Sequence, residues 1–164
     1  KIFQTGYFKI FPHHDIIGIE VCGSIKNIAA IATGVCDGLG YGDNARGSII
    51  TLGLMEMGIF GNELGAKRAT FYGIAGVGDL VASCISKHSR NRFVGEKIAQ
   101  GKNIGEIEKE MHGMVAEGIK TTKAVYEFAK KHKLNMPLTQ QAYCVLYENK
   151  NIKAAIKDLM DTFK

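Results

Sequence analysis

The sequence predicts an all-α fold, a helical bundle that is preceded by a short β-hairpin. Apolar residues recur at helical spacing in most segments after Cys22, and residues that cap helices stand at several segment boundaries. A loosely alternating apolar pattern, typical of strands, is found near the N-terminus. The length of 164 residues is enough for one domain with a substantial core.

The predicted hairpin occupies residues 1–21. Its first strand would lie within Ile2–Phe11, and its second would be Ile16–Val21, after a turn at Pro12–Asp15. Two strands alone are not stable in water, so we predict that they belong to a sheet whose other strands are missing. The first residue is Lys1 and no signal cleavage site follows, which favours a cut inside a longer chain. Residues 22–164 would then form the helical domain.

Two long helices are predicted to form the centre of this domain. The first starts near Cys22 and is apolar almost all round as far as Val35, which is typical of a helix buried on most sides. The second follows Asp43 as N-cap and continues through Phe60 with a similar pattern. Glycines cluster between and within the two helices. Each glycine inside a helix costs about 1 kcal/mol relative to alanine, so their number indicates tight packing.

The later helices are predicted to be amphipathic. Asn103 is expected to cap a short acidic helix, a further helix should contain Val125 and Phe128, and Pro137 suits the first turn of the next. The last helix has the clearest pattern, with apolar residues at i, i+4, i+7, i+8 and i+11. These residues are Ile152, Ile156, Leu159, Met160 and Phe163.

Composition excludes several classes of protein. Hydrophobic residues make up 46% and charged residues 23%, so the sequence indicates neither disorder nor a fibrous repeat. The longest nearly uncharged stretch, residues 28–36, is far shorter than the ~20 residues that span a membrane. Four widely separated cysteines suggest reduced thiols in a cytoplasmic protein and neither a zinc site nor a disulfide framework. They are Cys22, Cys36, Cys84 and Cys144.

The positive charge lies in the second half of the chain. Residues 1–86 carry six Lys/Arg and seven Asp/Glu, whereas residues 87–164 carry fifteen and nine. A basic half could attract phosphate, nucleic acid or an anionic surface, and charge alone leaves all three open.

Lys26 and Asn27 lie in the middle of the first buried helix. A lysine there either reaches the surface or loses hydration, and lost hydration disfavours the ammonium and allows proton exchange near neutral pH. Asp79 stands at a probable helix N-terminus, where it could be an N-cap or could hold the Lys26 amine in place. The spacing in sequence leaves both interpretations open.

Lys87–Arg92 is the densest basic and polar cluster of the first hundred residues. A helix that begins near Ser89 would offer free N–H groups, the positive end of its dipole and an arginine fork, which together suit a phosphate group. A solvated basic helix or a nucleic-acid backbone contact is the alternative.

Two other motifs are rejected. Gly38–Gly42 has the spacing GxGxG and follows a helix, whereas a dinucleotide fingerprint follows a strand. His13–His14–Asp15 could bind a metal ion, but no third ligand is evident, so we predict no metal site.

Five blocks of sequence together resemble the C-terminal domain of NAD(P)-dependent glycerol-3-phosphate dehydrogenase. They follow that family's order and spacing over nearly the whole chain. The blocks are Gly23–Asn27, Cys36–Ala45, Leu52–Met57, Gly76–Leu80 and Ser89–Arg92. The resemblance implies a helical domain of the type also found in 6-phosphogluconate dehydrogenase. In that family it follows a Rossmann domain, whose last strands would be residues 1–21 here.

The resemblance also assigns roles to single residues. Lys26 matches the proton-transferring lysine, and Asp79 matches the carboxylate beside it. The implied substrate contacts are Lys26, Asn27, Asp79, Ser83, Ser89, Arg90 and Asn91, and the implied cofactor contacts are Arg90, Val115 and Glu117. The implied reaction is the reversible reduction of dihydroxyacetone phosphate to sn-glycerol 3-phosphate with NAD or NADP. Lys26 would transfer the proton of the C2 oxygen and Arg90 would hold the phosphate.

The resemblance further implies that this chain alone is inactive. The pyrophosphate cradle and a second lysine would come from the missing Rossmann domain, as would the residue that selects NAD or NADP. Two alternatives remain: a related helical-domain dehydrogenase for another hydroxy acid, and a basic helical module that binds nucleic acid. We expect a small-molecule substrate, no nucleic acid and no membrane span. A homodimer through the unpaired hairpin edge is a further hypothesis.

Overall fold

The structure is a computed structural model that describes residues 3–114 and 116–162. These residues form helices joined by short connections, with no strand among them, so the predicted all-α fold is confirmed. The helices are α1 (Ile16–Gly38), α2 (Asp43–Glu63), α3 (Arg68–Phe71), α4 (Asp79–Ile85), α5 (Arg90–Ala99), α6 (Ile104–Glu110), α7 (Glu117–His132), α8 (Pro137–Tyr147) and α9 (Ile152–Asp161). A π-helical turn, Ile74–Gly78, leads into α4.

The predicted hairpin is wrong. Residues 3–15 contain no strand, Ile16–Val21 forms the start of α1, and Lys1 and Ile2 lie outside the described residues. The isoleucines of this segment favour a strand by propensity, but its buried positions follow helical spacing. Asp15 stabilises the helix start, because its carboxylate accepts the Gly18 N–H at 3.0 Å. The helical domain therefore begins before residue 22, and no hairpin edge supports a dimer.

Of the two helices expected at the centre, only α1 is enclosed. It packs against α2, α4, α5 and α7. In contrast, α2 buries one face and leaves Met55 55% exposed on the other. Asp43 is the first residue of α2 and Gly42 is its N-cap, so the predicted cap is displaced by one position. The bundle is thus arranged around a single helix, α1.

Glycines bring α1 and α5 into backbone contact. A Cβ placed on Gly34 would lie 1.9 Å from the Arg92 carbonyl oxygen, and one on Gly95 would lie 1.9 Å from the Ile31 carbonyl oxygen. Side chains at these positions would force the helices apart, so the expected close packing is confirmed here. Gly47 and Gly58, by contrast, face open space.

The later helices largely follow their sequence signals. Asn103 and Glu106 form a reciprocal capping box at α6, and Pro137 is the first residue of α8. In α9, Leu159 is buried, but Met160 is 65% exposed and does not belong to the buried stripe. Phe163 lies outside the described residues.

Glu56 provides a cap between helices that the sequence analysis does not anticipate. It lies in the middle of α2 with 2% exposure, and its carboxylate faces the start of α8. It accepts the Leu138 N–H at 2.6 Å, the Thr139 N–H at 3.0 Å and the Thr139 hydroxyl at 2.6 Å. These bonds satisfy donors that a helix start would otherwise leave unpaired.

Among the described residues, α1 has the length and hydropathy to cross a membrane, and a second span would require the bent pair Arg68–Ile85 and Arg90–Ala99. Half of the apolar window of α1 is buried inside the bundle. Core helices pass the same test of length and composition, so this finding is weak support for a span.

Candidate active site

Lys26 and Asp79 form an ion pair where α1 meets the start of α4. The Lys26 Nζ donates to Asp79 Oδ2 at 2.5 Å, and the side chains are 22% and 41% exposed. Asp79 is the first residue of α4 and makes no side-chain cap hydrogen bond, so the N-cap interpretation is wrong. The pair is partly shielded and still open to a small molecule.

The π-helical turn determines where Asp79 lies. A Cβ placed on Gly76 would lie 2.1 Å from the Phe71 carbonyl oxygen, so only glycine allows this approach. Phe71 is itself buried, with its ring against Gly61 of α2. Small residues therefore fold the segment before α4 tightly enough to bring Asp79 to Lys26.

A chain of amide hydrogen bonds links α1, α5 and α7. Asn91 is 6% exposed, and its Nδ2 donates to Asn27 Oδ1 at 2.9 Å. Its Oδ1 accepts the Gly118 N–H at 2.9 Å, and Asn27 Nδ2 donates to the Gly23 carbonyl at 3.1 Å. Asn27, the residue after Lys26, is thus joined to the first turn of α5 through Asn91.

The start of α5 has the features of an anion site. Ser89 is its N-cap and accepts the Arg92 N–H at 3.3 Å, as expected from the sequence. The backbone N–H groups of Arg90 and Asn91 have no acceptor within the described part of the chain. Free N–H groups at a helix start attract phosphate and carboxylate groups.

The Arg90 side chain points to the start of α7 and forms an exposed ion pair there, which an anionic ligand can replace. Its Nη2 donates to Glu117 Oε1 at 3.0 Å, and the two side chains are 47% and 52% exposed. A salt bridge that is exposed to this extent is weak, so an incoming anion could replace Glu117. Glu117, for which the resemblance implies a contact with the cofactor, thus lies against Arg90. Val115 lies outside the described residues.

Ser83 completes the set that sequence reasoning selected. It is half-buried and lies four residues after Asp79, so both side chains are on one face of α4. The structure therefore places Lys26 and Asn27 within α1, Asp79 and Ser83 on α4, and Ser89, Arg90 and Asn91 at the start of α5. Hydrogen bonds join α1 to α4 through Lys26 and Asp79, and α1 to α5 through Asn27 and Asn91.

Asp37, which is not among the residues predicted from the sequence, binds Arg92 of α5. The Arg92 Nε donates to Asp37 Oδ2 at 2.6 Å. Asp37 lies eleven residues after Lys26, which is close to three helical turns. An acid on the same side of a largely apolar helix as Lys26 is the signal that could have identified it.

A family model described as the C-terminus of NAD-dependent glycerol-3-phosphate dehydrogenase matches residues 15–157. Two curated relatives, both glycerol-3-phosphate dehydrogenases [NAD(P)+], come from Chlorobium limicola and Staphylococcus aureus. The first is 49% identical over 98% of this chain and 48% of the relative, and the second is 45% identical over 99% and 49%. The chain spans about half the length of these relatives.

Solved structures of glycerol-3-phosphate dehydrogenases have the same fold over this region. The Coxiella burnetii structure has a TM-score of 0.91 at 41% identity and covers 96% of this chain and 48% of its own. The structure from the yeast Saccharomyces cerevisiae has a TM-score of 0.88 at 33% identity, covering 96% and 46%.

Proposed function

This chain belongs to the family of C-terminal domains of NAD-dependent glycerol-3-phosphate dehydrogenase, and on that basis we propose its role in the reaction. It is the substrate-binding and proton-transferring half of an oxidoreductase that interconverts dihydroxyacetone phosphate and sn-glycerol 3-phosphate with NAD(P)H. The observation that carries the proposal is the 2.5 Å contact between Lys26 Nζ and Asp79 Oδ2, next to the Asn27–Asn91 link to α5.

The phosphate binds at the start of α5. Arg90 supplies a positive charge with several parallel N–H donors, and the free backbone N–H groups of Arg90 and Asn91 add two more. The Ser89 hydroxyl accepts the Arg92 N–H and can still donate its own hydrogen to a phosphate oxygen. Arg90 exchanges its contact with Glu117 for one with the substrate.

Lys26 transfers the proton at the C2 oxygen. In the reductive direction C2 gains a hydride and its carbonyl oxygen gains a proton from the Lys26 ammonium. Asp79 accepts one of the three N–H bonds of Lys26, which leaves the others for the substrate and fixes the direction of the amine. When the alcohol is oxidised, the same amine takes the proton back. Holding both ends of a three-carbon substrate aligns C2 for the reaction.

A nicotinamide cofactor supplies the hydride when it is bound. The start of α7 offers polar groups that suit the nicotinamide, because Glu117 is half exposed there and faces Arg90. Arg90, Val115 and Glu117 would hold the nicotinamide side. The described residues present no glycine-rich turn after a strand, so the pyrophosphate would be held elsewhere.

The remaining half of the enzyme is proposed to be a Rossmann domain that precedes this chain. The proposal rests on the coverage of about half of each relative. We also propose a cytoplasmic location, on the basis of the four widely separated cysteines. A homodimer stays a hypothesis.

The proposal is tested with the full-length enzyme that carries this chain. Lys26→Met should lower kcat for dihydroxyacetone phosphate by roughly 10²- to 10⁴-fold, the usual contribution of a general acid or base. Lys153→Met, at an exposed lysine of α9, removes the same charge and serves as the control. It should leave kcat unchanged.

Two results would refute the proposal. One is equal activity in Lys26→Met and the unsubstituted enzyme. The other is preference for a non-phosphorylated hydroxy acid over dihydroxyacetone phosphate, which would favour the related dehydrogenase.

A further inference from the structure

Asp37 joins three helices through two arginines that have no part in the proposed chemistry. Its Oδ2 accepts from Arg92 Nε of α5 at 2.6 Å, and its Oδ1 accepts from Arg46 Nη2 of α2 at 2.6 Å. The Asp37 and Arg92 side chains are 10% and 14% exposed. Burial opposes ionisation of Asp37, but the hydrogen bonds from Arg46 and Arg92 outweigh it and keep its pKa below the usual range. Asp37 is therefore a charged, shared acceptor at neutral pH.

The packing of α1 against α5 needs polar bonds such as those of Asp37 to fix the position of one helix along the other. Gly34 and Gly95 let the two backbones touch, and Gly38 meets Ala99 and the Glu96 backbone in the next turn. Helices normally fix their relative position by fitting side-chain ridges into grooves. Glycines remove those ridges, so the smooth contact resists sliding along the helix axis poorly. Polar bonds must then set the register of α5 on α1.

The register of α5 decides where the phosphate-binding groups lie. Arg92 comes two residues after Arg90, which is about 3 Å along the axis at the usual helical rise. Arg92 also pairs with Glu96 at 2.7 Å, so the two acids neutralise its charge. Without Asp37, the side-chain hydrogen bond that still joins the start of α5 to α1 in the described part of the chain is that between Asn91 and Asn27. A loosened Arg92 could also compete with Arg90 for an anion.

We propose that Asp37 is a positioning residue for the phosphate-binding end of α5. It fixes α5 so that Arg90 meets the substrate phosphate while Lys26 meets the C2 oxygen, and it keeps Arg92 away from the phosphate. This inference rests on the function proposed above. Misplacing a binding group by about 1 Å can cost on the order of 100-fold in rate.

The test compares Asp37→Asn with Asp43→Asn in the full-length enzyme. Asp43 also pairs with Arg46, at 2.6 Å, but its side chain is 92% exposed and it does not touch Arg92. We measure kcat/KM for dihydroxyacetone phosphate and for dihydroxyacetone, which lacks the phosphate, and take the ratio. A smaller folded fraction would lower both values equally and leave the ratio unchanged.

Asp37→Asn is expected to lower this ratio on the order of 10- to 100-fold, mainly through KM for the phosphorylated substrate, whereas Asp43→Asn leaves it unchanged. If Asp37→Asn cannot be recovered as folded protein, Arg92→Lys is judged by the same ratio. An unchanged ratio in the variant, or an equal fall in Asp43→Asn, overturns the inference. Failure of the unsubstituted enzyme to turn over dihydroxyacetone phosphate would instead refute the proposed function.

Discussion

Replacing Glu56 by Gln tests how a buried carboxylate affects the stability of this bundle. Gln has nearly the same size and shape as Glu but carries no charge. The Glu56 carboxylate accepts three hydrogen bonds from the start of α8, which by themselves would favour its charged form. Burial acts in the opposite direction and dominates. It raises the pKa of Glu56 from 4.5 to about 7, in spite of the hydrogen bonds from Thr139 and Leu138.

The sign of the pH dependence follows from that balance. The folded pKa lies above the unfolded one, so the unfolded chain loses its proton first as the pH rises. The contribution of Glu56 to the free energy of unfolding is therefore largest below pH 4.5, falls between pH 4.5 and about 7, and is constant above. At about 1.4 kcal/mol per pKa unit the total loss is about 3 kcal/mol, an order-of-magnitude figure.

The assay is urea unfolding of this chain and its Glu56→Gln variant, followed by circular dichroism at about pH 4.5 and about pH 8. Gln cannot titrate, so the stability of the variant should rise by about 3 kcal/mol relative to the parent between the two pH values. Glu20→Gln, at an exposed position of α1, is the matched control and should show little of this change. If the parent instead gains stability over Glu56→Gln at the higher pH, the hydrogen bonds outweigh burial and the reasoning is wrong.

Other perturbations test separate parts of the structure. Gly34→Ala should lower the free energy of unfolding by about 2 kcal/mol or more, because its Cβ would overlap the Arg92 carbonyl. Gly47→Ala, which meets nothing within 4 Å, should be neutral or stabilising in the same denaturation assay. Asp15→Ala should lower the midpoint of thermal unfolding. Hydrogen bonds from Thr70 and Gly18 lower the Asp15 pKa below 3.8, so this difference should persist above about pH 4 and shrink in stronger acid. Arg90→Lys in the full-length enzyme should lower kcat/KM for dihydroxyacetone phosphate about 10- to 100-fold, and for dihydroxyacetone much less.

Local signals in the sequence identify most helices and several site residues. Asn103, Pro137 and Ser89 mark helix starts because a cap depends on residues within one turn. The resemblance selects Lys26 and Asp79, and the structure brings them together from 53 residues apart. Their contact could not be derived from spacing, because it depends on how the π-helical turn folds against α3.

The failures have physical causes too. The isoleucines before Cys22 carry strand propensity, but they remain exposed, and the segment is helical because Gly18 and Val21 are buried against the bundle and Asp15 caps the helix start. Glu56 caps a helix 82 residues away, and Asp37 pairs with an arginine 55 residues away. Such pairings are invisible to local patterns. The one available signal is an acid inside an otherwise apolar helix, which must find buried partners.

Chemical rescue of Lys26→Ala tests the central claim most directly. In the full-length enzyme this variant removes the amine and leaves room for a small alkylammonium ion beside Asp79. We expect kcat for dihydroxyacetone phosphate to fall by roughly 10²- to 10⁴-fold, and added alkylammonium to restore it in a saturable way. A variant that keeps full activity without added amine, or that no amine rescues although it still binds the substrate, would contradict the assignment of Lys26 as the proton-transferring group.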